Sequence, residues 1–182
     1  VALMRALPGM VVLVPCDYNQ TRQATLAAAE YEGPVYLRFG RPAMPNFTDP
    51  EEKFQIGKVY NMNPGTDVTI IACGHLVWEA LSAAEKLEEE GISAEVLNVP
   101  TVKPLDAEAI IESVSRTRCA VVAEEHNAAG GLGEAVAAAA ALDSLKIPKL
   151  VGCIAGDDTI ICVIKSVAEV KKFIAKVDSL IK

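Results

Sequence analysis

The stretch Asp67-Val-Thr-Ile-Ile-Ala-Cys73-Gly74 begins a series of alternating strands and helices that decides the fold and runs to Val136. Its apolar residues are continuous, which indicates a strand of a parallel sheet with both faces covered. A helix follows from Leu76, because apolar residues recur at helical spacing opposite a run of glutamates, and Gly91 ends it. The stretch therefore opens a strand-helix-strand unit.

Two more strands complete this series, at 94–99 and 119–123. Between them, Asp106 precedes a helical apolar repeat and is the predicted N-cap of a second helix. Gly130-Gly-Leu-Gly133 opens a third helix. Because two successive crossovers of this kind fix a right-handed parallel sheet, we predict an α/β fold, a three-layer sandwich.

The chain before this series reads as a partial strand-helix-strand piece, 1–41. It has a short helix over 2–7, a strand over 11–14, a helix over 19–32 and a strand over 35–39. Four prolines and a charged run mark 42–66 as a linker, with a short strand within 54–60. We expect 67–182 to form the main domain, on which 1–41 packs as a separate layer.

The C-terminal residues predict a hairpin and a helix. Apolar strands at 150–154 and 159–164 are joined by the turn Ala155-Gly-Asp-Asp158 and should pair antiparallel. We expect the first of them to be the fourth parallel strand and the second to be an antiparallel edge strand. Ser166 and Glu169 form a capping box at the start of the closing helix.

Composition excludes several classes of function. The 182 residues carry a net charge of −7 without a cluster of Lys or Arg, which argues against a nucleic-acid partner. No apolar run reaches the length of a membrane helix, and the first residues lack the features of a signal peptide, so we expect a cytoplasmic protein with no membrane partner. Five cysteines without a C-x-x-C pair predict reduced, buried thiols and no metal site.

Three polar or glycine-rich motifs each have a structural and a functional interpretation. Cys73-Gly-His75 offers two types of metal ligand, and Glu124-Glu-His126 pairs acids with a base at a strand end. The backbone amides of Gly130-Gly-Leu-Gly133 could hold an anion. No nucleophile or cofactor motif lies nearby, so we favour structural roles for all three and predict no catalytic residue.

Several further motifs occur in the order found in transketolases. They are Ala2-Leu-Met-Arg-Ala-Leu-Pro-Gly9, Val14-Pro-Cys-Asp17, Gly33-Pro-Val-Tyr-Leu-Arg-Phe-Gly-Arg-Pro42, Thr101-Val-Lys-Pro-Leu-Asp106, Glu124-Glu-His-Asn127 and Gly130-Gly-Leu-Gly-Glu-Ala135. Over about residues 1–137 the chain resembles the C-terminal part of the transketolase family of thiamine-diphosphate enzymes. In this resemblance, 1–41 corresponds to the last third of the pyrimidine-binding domain.

The resemblance implies an intact enzyme that moves a two-carbon ketol unit between sugar phosphates with thiamine diphosphate and magnesium. The family's cofactor-activating glutamate precedes the position of Val1, so we expect this chain alone to bind no cofactor and to be inactive. Arg41 matches the arginine that grips the substrate phosphate, although an interdomain ion pair is the favoured alternative. The expected partners are a missing catalytic subunit or further copies of this chain.

From about residue 138 the sequence instead resembles the C-terminal arginine-binding domain of bacterial arginine repressors. The run Ile154-Ala-Gly-Asp-Asp-Thr-Ile160 carries this resemblance. It implies that Asp143, Asp157 and Asp158 contact L-arginine between subunits, whereas the plainer interpretation is that the last two shape a turn. Two alternatives to a transketolase fragment thus stay open, an arginine-binding oligomerisation module and an engineered chimera without a ligand.

Overall fold

The computed structural model describes residues 1–41, 43–143, 153–154 and 159–164. Its helices are α1 (Ala2–Ala6), α2 (Tyr18–Glu30), α3 (Leu76–Glu89), α4 (Ala107–Thr117) and α5 (Leu132–Asp143). Its strands are β1 (Val11–Leu13), β2 (Val35–Leu37), β3 (Tyr60–Asn63), β4 (Val68–Ala72), β5 (Ala94–Asn98), β6 (Thr101–Lys103), β7 (Cys119–Glu124), β8 (Cys153–Ile154) and β9 (Thr159–Ile164). The order of helices and strands agrees with the sequence prediction up to α5, with two exceptions. β3 lies later than the predicted short strand, and β6 is an additional strand.

The larger sheet has six strands in the order β3-β5-β4-β7-β9-β8. Its centre is parallel, because β4 pairs with both β5 and β7 in parallel register. Antiparallel strands flank this centre, with β3 beside β5 and β9 beside β7. The mixed α/β class predicted from the sequence is therefore present.

Successive residues of β4 serve two different cores, which explains why this strand is apolar throughout. Ile71 belongs to the core formed with α4 and α5, where Ile110 and Leu132 are also buried. Ile70 belongs to the core under α3, which includes Val77. Since side chains of a strand alternate between the faces of the sheet, helices cover both faces and form three layers.

A second, smaller sheet has the order β2-β1-β6. β1 and β2 pair parallel, and β6 pairs antiparallel with β1. One face of β1 contributes Val12 to the core of the main domain, and the other contributes Leu13 to a small core with Ala24 of α2. This strand therefore joins the N-terminal piece to the rest of the molecule.

Residues 1–41 do not form a layer of their own, and this part of the prediction was wrong. Thr101–Lys103, in the segment between β5 and α4, forms β6 and completes the smaller sheet with β1 and β2. The short strand predicted within 54–60 of the linker lies further along the chain, as β3 at Tyr60–Asn63, and it pairs with β5 at the edge of the larger sheet.

The C-terminal hairpin forms with the predicted antiparallel pairing, but its two strands lie in the opposite order. β9 pairs directly with β7, and β8 pairs with β9 at the edge of the sheet. We expected the strand near 150 beside β7 and the strand at 159 at the edge. The closing helix predicted from Ser166 lies outside the described residues. No helix in the part of the chain that the structure describes is long and apolar enough to cross a membrane.

Candidate functional site

A cavity of about 500 Å³ lies where the carboxyl ends of β1, β2 and β4 meet. It is lined by residues that follow these strands and by the loop after β2, namely Pro15, Cys16, Asp17, Tyr18, Thr21, Phe39, Gly40, Ala43, Met44, Asn46 and His75. Crevices at the carboxyl ends of parallel strands are the usual place for ligands in α/β proteins. Its volume is that of a small-molecule site.

The loop wall of the cavity is fixed by the buried carboxylate of Asp17, the N-cap of α2. Its Oδ2 accepts hydrogen bonds from the backbone N–H groups of Phe47 and Thr48, at 2.9 and 2.8 Å. Its Oδ1 accepts from the Thr48 hydroxyl and from the N–H of Gln20. With four donors satisfied inside the protein, Asp17 holds the loop in place. Asp17 was identified from the sequence only as part of the motif Val14-Pro-Cys-Asp17, and its role in holding the loop was not predicted.

The loop is also held by contacts on either side of Asp17. Asn46 accepts a hydrogen bond from the N–H of Tyr18, and the Phe47 ring packs against Trp78 with centroids 5.5 Å apart. Trp78 lies on α3 of the main domain. The loop is therefore attached to both halves of the molecule.

His75 and two charged residues form a cluster at the cavity wall. The Glu125 carboxylate lies 3.6 Å from Nδ1 of His75, and the same Oε2 accepts a hydrogen bond from Arg38 at 3.2 Å. Arg38 follows β2 of the smaller sheet, whereas His75 and Glu125 follow β4 and β7 of the larger one. The carboxylate thus bridges the two sheets beside the cavity.

The Glu124 carboxylate is hydrogen-bonded to the backbone amides of the glycine motif at the start of α5. It accepts hydrogen bonds from the N–H groups of Leu132 and Gly133, at 2.7 and 2.9 Å, and Gly131 approaches it so closely that a Cβ there would overlap it. Burial raises the pKa of Glu124, while the two amides oppose the shift. The start of α5 thus binds a carboxylate of the protein itself. The glutamate motif at 124–126 and the glycine motif at 130–133, which were interpreted separately from the sequence, therefore form one structural unit.

His126 is also engaged within the protein. Its Nε2 accepts a hydrogen bond from the N–H of Ala2 at 3.1 Å. Burial lowers the pKa of His126, with the nearby Arg38 and Arg5 adding to the shift. A neutral ring in this position ties α1 to the end of β7, which agrees with the structural role preferred for this motif.

The thiols of Cys16 and Cys73 are unsuited to reaction. Cys16 and Cys73 are buried and free of disulfide bonds. Burial raises the pKa of both thiols, and neighbouring acids add to the shift. A thiol that stays protonated is a poor nucleophile. Cys16 instead accepts a hydrogen bond from Asn98 at 3.3 Å, so its place in the cavity wall is structural.

The predicted site residues are only partly brought together. Arg41 lies exposed in a bend directly after Gly40 of the cavity wall. The ion pair between the two sheets is formed by Arg38, and Arg41 forms none with a described residue. Asp143 is the last residue of α5, and Asp157 and Asp158 lie outside the described residues. The arginine-binding role of these aspartates stays a prediction.

Metal binding finds no support in the described part of the chain. No group of three or more His, Cys, Asp or Glu side chains there could hold a metal ion. Cys73 is buried in the core, whereas His75 lines the cavity. The structure therefore does not bring these two residues together as a ligand pair.

The fold and the cavity define an α/β protein with a ligand crevice at the carboxyl ends of its strands. Sequence profiles identify two known domains in the same order. The profile of the transketolase C-terminal domain matches residues 57–169, and that of the transketolase pyrimidine-binding domain matches residues 1–46. The chain belongs to the transketolase family.

Individual relatives agree with this assignment. One of the subunits of the apulose-4-phosphate transketolase of Phocaeicola vulgatus is 41% identical over 137 residues, which is 75% of this chain and 44% of the relative. The 6-deoxy-6-sulfo-D-fructose transketolase subunit SqwH of Clostridium sp. (strain MSTE9) is 45% identical over 137 residues, 75% of this chain and 42% of that protein. The chain therefore spans less than half the length of these relatives.

A solved structure of a split-gene transketolase, described as an inactive beta4 tetramer, superimposes with a TM-score of 0.77. It is 46% identical in sequence, and the match covers 78% of this chain and 48% of that one. The C-terminal profile extends to residue 169, well past residue 138, where the sequence analysis placed the change to a repressor-like tail. The repressor-like tail and the chimera stay predictions without support from these comparisons.

Proposed function

We propose that this chain forms the C-terminal part of a transketolase that moves a two-carbon ketol unit between sugar phosphates. In this proposal the chain supplies one wall of the substrate site and the assembly surface, and the cofactor-binding regions of the family supply the remaining parts. Two relatives are named as subunits, which supports a partner polypeptide as the source of those regions.

The observation that carries the proposal is the position of the cavity. It lies between the segment that matches the pyrimidine-binding domain, with Asp17 and Gly40, and the segment that matches the C-terminal domain, with His75. Its volume of about 500 Å³ is sufficient for a phosphorylated sugar. The division into 1–41, 42–66 and 67–182 remains part of this proposal.

The described residues do not fit thiamine diphosphate and its magnesium ion. Asp17, the buried carboxylate of the cavity wall, is satisfied by four internal donors, so it offers no free oxygen to a metal. What this chain's residues can do is bind and orient the sugar.

Arg41 is the proposed phosphate contact. It is exposed and directly follows Gly40 of the cavity wall, which supports this role. Arginine binds phosphate through paired, charge-assisted hydrogen bonds. In an assembled enzyme we expect Arg41→Ala to raise KM for the sugar phosphate more than it lowers kcat.

The test is reconstitution. The chain is mixed with a thiamine-diphosphate-binding transketolase subunit from the same source, and ketol transfer from xylulose 5-phosphate to ribose 5-phosphate is assayed with thiamine diphosphate and magnesium. We expect activity from the mixture and none from this chain alone. Arg22→Ala, an exposed arginine on α2, is the matched control for Arg41→Ala. Turnover by the chain alone, or equal kinetics for the two variants, would contradict the proposal.

The arginine-binding alternative can be tested on the same material. If Asp157 and Asp158 bind L-arginine between subunits, arginine should raise the melting temperature, because a ligand that binds only the folded state stabilises it. Lysine should not, and Asp158→Asn should abolish the effect. We expect no arginine-specific shift, since the C-terminal transketolase profile covers both residues.

A further inference from the structure

The geometry points to His75 as a ligand-contacting residue of the cavity. We propose that its Nε2 accepts a hydrogen bond from a hydroxyl group of the sugar phosphate, with Glu125 as the positioning residue that orients the ring. This inference rests on the proposed function, since it assumes that the cavity takes a phosphorylated sugar. It assigns a substrate contact to the C-terminal domain as well as to the N-terminal segment.

The backbone carries His75 to the cavity wall through a fixed turn after β4. Gly74 has φ +60°, a conformation in which glycine is favoured, and its N–H donates to the carbonyl of Val14 at 3.0 Å. A Cβ at Gly74 would also press on the side chain of Val14, at 3.1 Å. The turn is thus attached to β1 of the other sheet, and His75 cannot easily move from the cavity.

The carboxylate of Glu125 lies on the Nδ1 side of the His75 ring. It lies 3.6 Å from Nδ1, so in the neutral ring the proton is favoured on that nitrogen and the lone pair on Nε2. Arg38, at 3.2 Å, restrains the same carboxylate from the opposite sheet. No hydrogen bond to Nε2 is present among the residues that the structure describes, so this acceptor is available to a ligand.

Three other polar residues of the wall already have hydrogen-bond partners within the protein. Asp17 is satisfied by four donors, the Thr21 hydroxyl donates to a backbone carbonyl, and Asn46 accepts from the N–H of Tyr18. His75 is one-quarter exposed and lines the same space. A sugar whose phosphate lies near Arg41 would therefore find its hydroxyl acceptor in this ring.

The presence of only two histidines makes a direct test possible. The full chain, labelled on its histidine rings, is titrated with ribose 5-phosphate and observed by NMR. We expect the ring signals of His75 to shift, while those of His126, which is bound to Ala2, stay in place. Inorganic phosphate should move the backbone amides near Gly40 without moving the His75 ring.

Two variants separate binding from positioning. His75→Asn should raise the dissociation constant for ribose 5-phosphate roughly three- to tenfold, the effect of one hydrogen bond. Glu125→Ala should raise it similarly and should also shift the neutral His75 ring towards the tautomer protonated on Nε2, a change visible in the ring nitrogen spectrum. Glu85→Ala, an exposed acid on α3, is the control and should change neither quantity.

The outcomes distinguish the two proposals. If ribose 5-phosphate shifts no resonance of the cavity wall and the reconstituted mixture is also inactive, the proposed function fails and this inference fails with it. If the mixture is active but no resonance of the cavity wall shifts, this inference alone is overturned. If the amides of Cys16 to Thr21 and Gly40 shift but the His75 ring does not, the inference alone is overturned. An unchanged tautomer in Glu125→Ala would remove the positioning role of that residue.

Discussion

Glu124 and Gly131 depend on each other, and their relation explains why the glycine motif before α5 contains no side chain at its second position. The carboxylate caps two backbone amides at the start of α5, a place where the helix dipole favours negative charge. The space that Gly131 leaves open is the space that the carboxylate fills. The pair holds the end of β7 against the start of α5.

The first prediction concerns Gly131→Ala. Its new Cβ would displace the Glu124 carboxylate and leave two buried amides without their acceptor, so we expect a loss of about 1–3 kcal/mol in the free energy of unfolding. Gly91→Ala is the control, because φ is +74° there but no atom lies within 4 Å of the added carbon. Urea denaturation would contradict the interpretation if Gly131→Ala were the more stable of the two variants.

The second prediction follows from the direction of the Glu124 pKa. Because burial raises this pKa, the folded state binds the proton more tightly than the unfolded state does. The contribution of Glu124 to the free energy of unfolding is fully present below about pH 4.3, the ordinary pKa of Glu. It is lost as the pH rises through the pKa that Glu124 has in the folded state. In Glu124→Gln this part of the pH dependence should disappear.

The measurement is the free energy of unfolding of both proteins across that pH range. Glu124→Gln is expected to be less stable than the wild type at every pH, because its amide group places an N–H donor against a backbone N–H. The difference should be largest in acid and should shrink as the pH rises. A difference that does not change with pH would show that folding does not change the pKa of Glu124.

At the scale of single elements, β5 and α4 are joined by a buried polar cluster. Glu95, on β5, is 1% exposed and accepts hydrogen bonds from Asn61, Ser113 and Arg116. The hydroxyl of Thr69 lies 2.7 Å from those of Ser113 and Thr117. A buried carboxylate is tolerated here because all of these donors surround it.

Arg116 provides the third prediction. Its guanidinium lies 2.6 Å from Glu95 and is half-exposed, whereas its carboxylate partner is buried. Arg116→Met should cost about 1–3 kcal/mol, because the buried charge loses its counter-ion while solvent at the open end reduces the effect. Arg118→Met, at the exposed end of the same helix, is the matched control. Equal stability of the two variants would show that Arg116 does not stabilise the cluster.

This cluster also shows how far the sequence could predict the structure. The strand at 94–99 and the Asp106 cap were predictable, because apolar continuity and capping are local patterns. The burial of Glu95 was not, since its partners come from β3, β4 and α4. The same holds for Asp17, whose role depends on a loop about 30 residues away in sequence. The burial of Glu95 and the role of Asp17 thus depend on contacts between segments that are distant in sequence, which local sequence patterns do not reveal.

At the scale of the whole molecule, apolar side chains are unevenly distributed over the surface. Among the described residues, the large apolar side chains that are most exposed all fall within 1–41, namely Leu3, Leu7, Tyr18, Leu26, Tyr31 and Phe39. Such surface on a protein of this kind commonly marks an interface.

We therefore predict that the isolated chain self-associates through the N-terminal segment. Leu3 on α1 is 80% exposed and Leu26 on α2 is 51% exposed, so both can enter a contact between copies without any rearrangement of the fold. Sedimentation equilibrium measures the dissociation constant directly.

The decisive comparison is between lysine substitutions on different helices. Leu3→Lys and Leu26→Lys should weaken association, because each would place a charge in an apolar contact, and the melting of the monomer should change little since both side chains are exposed. Ala83→Lys, an exposed position on α3, adds the same charge outside the segment and should leave the dissociation constant unchanged. A monomer at all concentrations, or equal weakening by the three variants, would show that the exposed apolar side chains of 1–41 do not form an interface between copies. Protection of the amides of α1 and α2 from hydrogen exchange on addition of the proposed partner subunit would then test whether that subunit covers them.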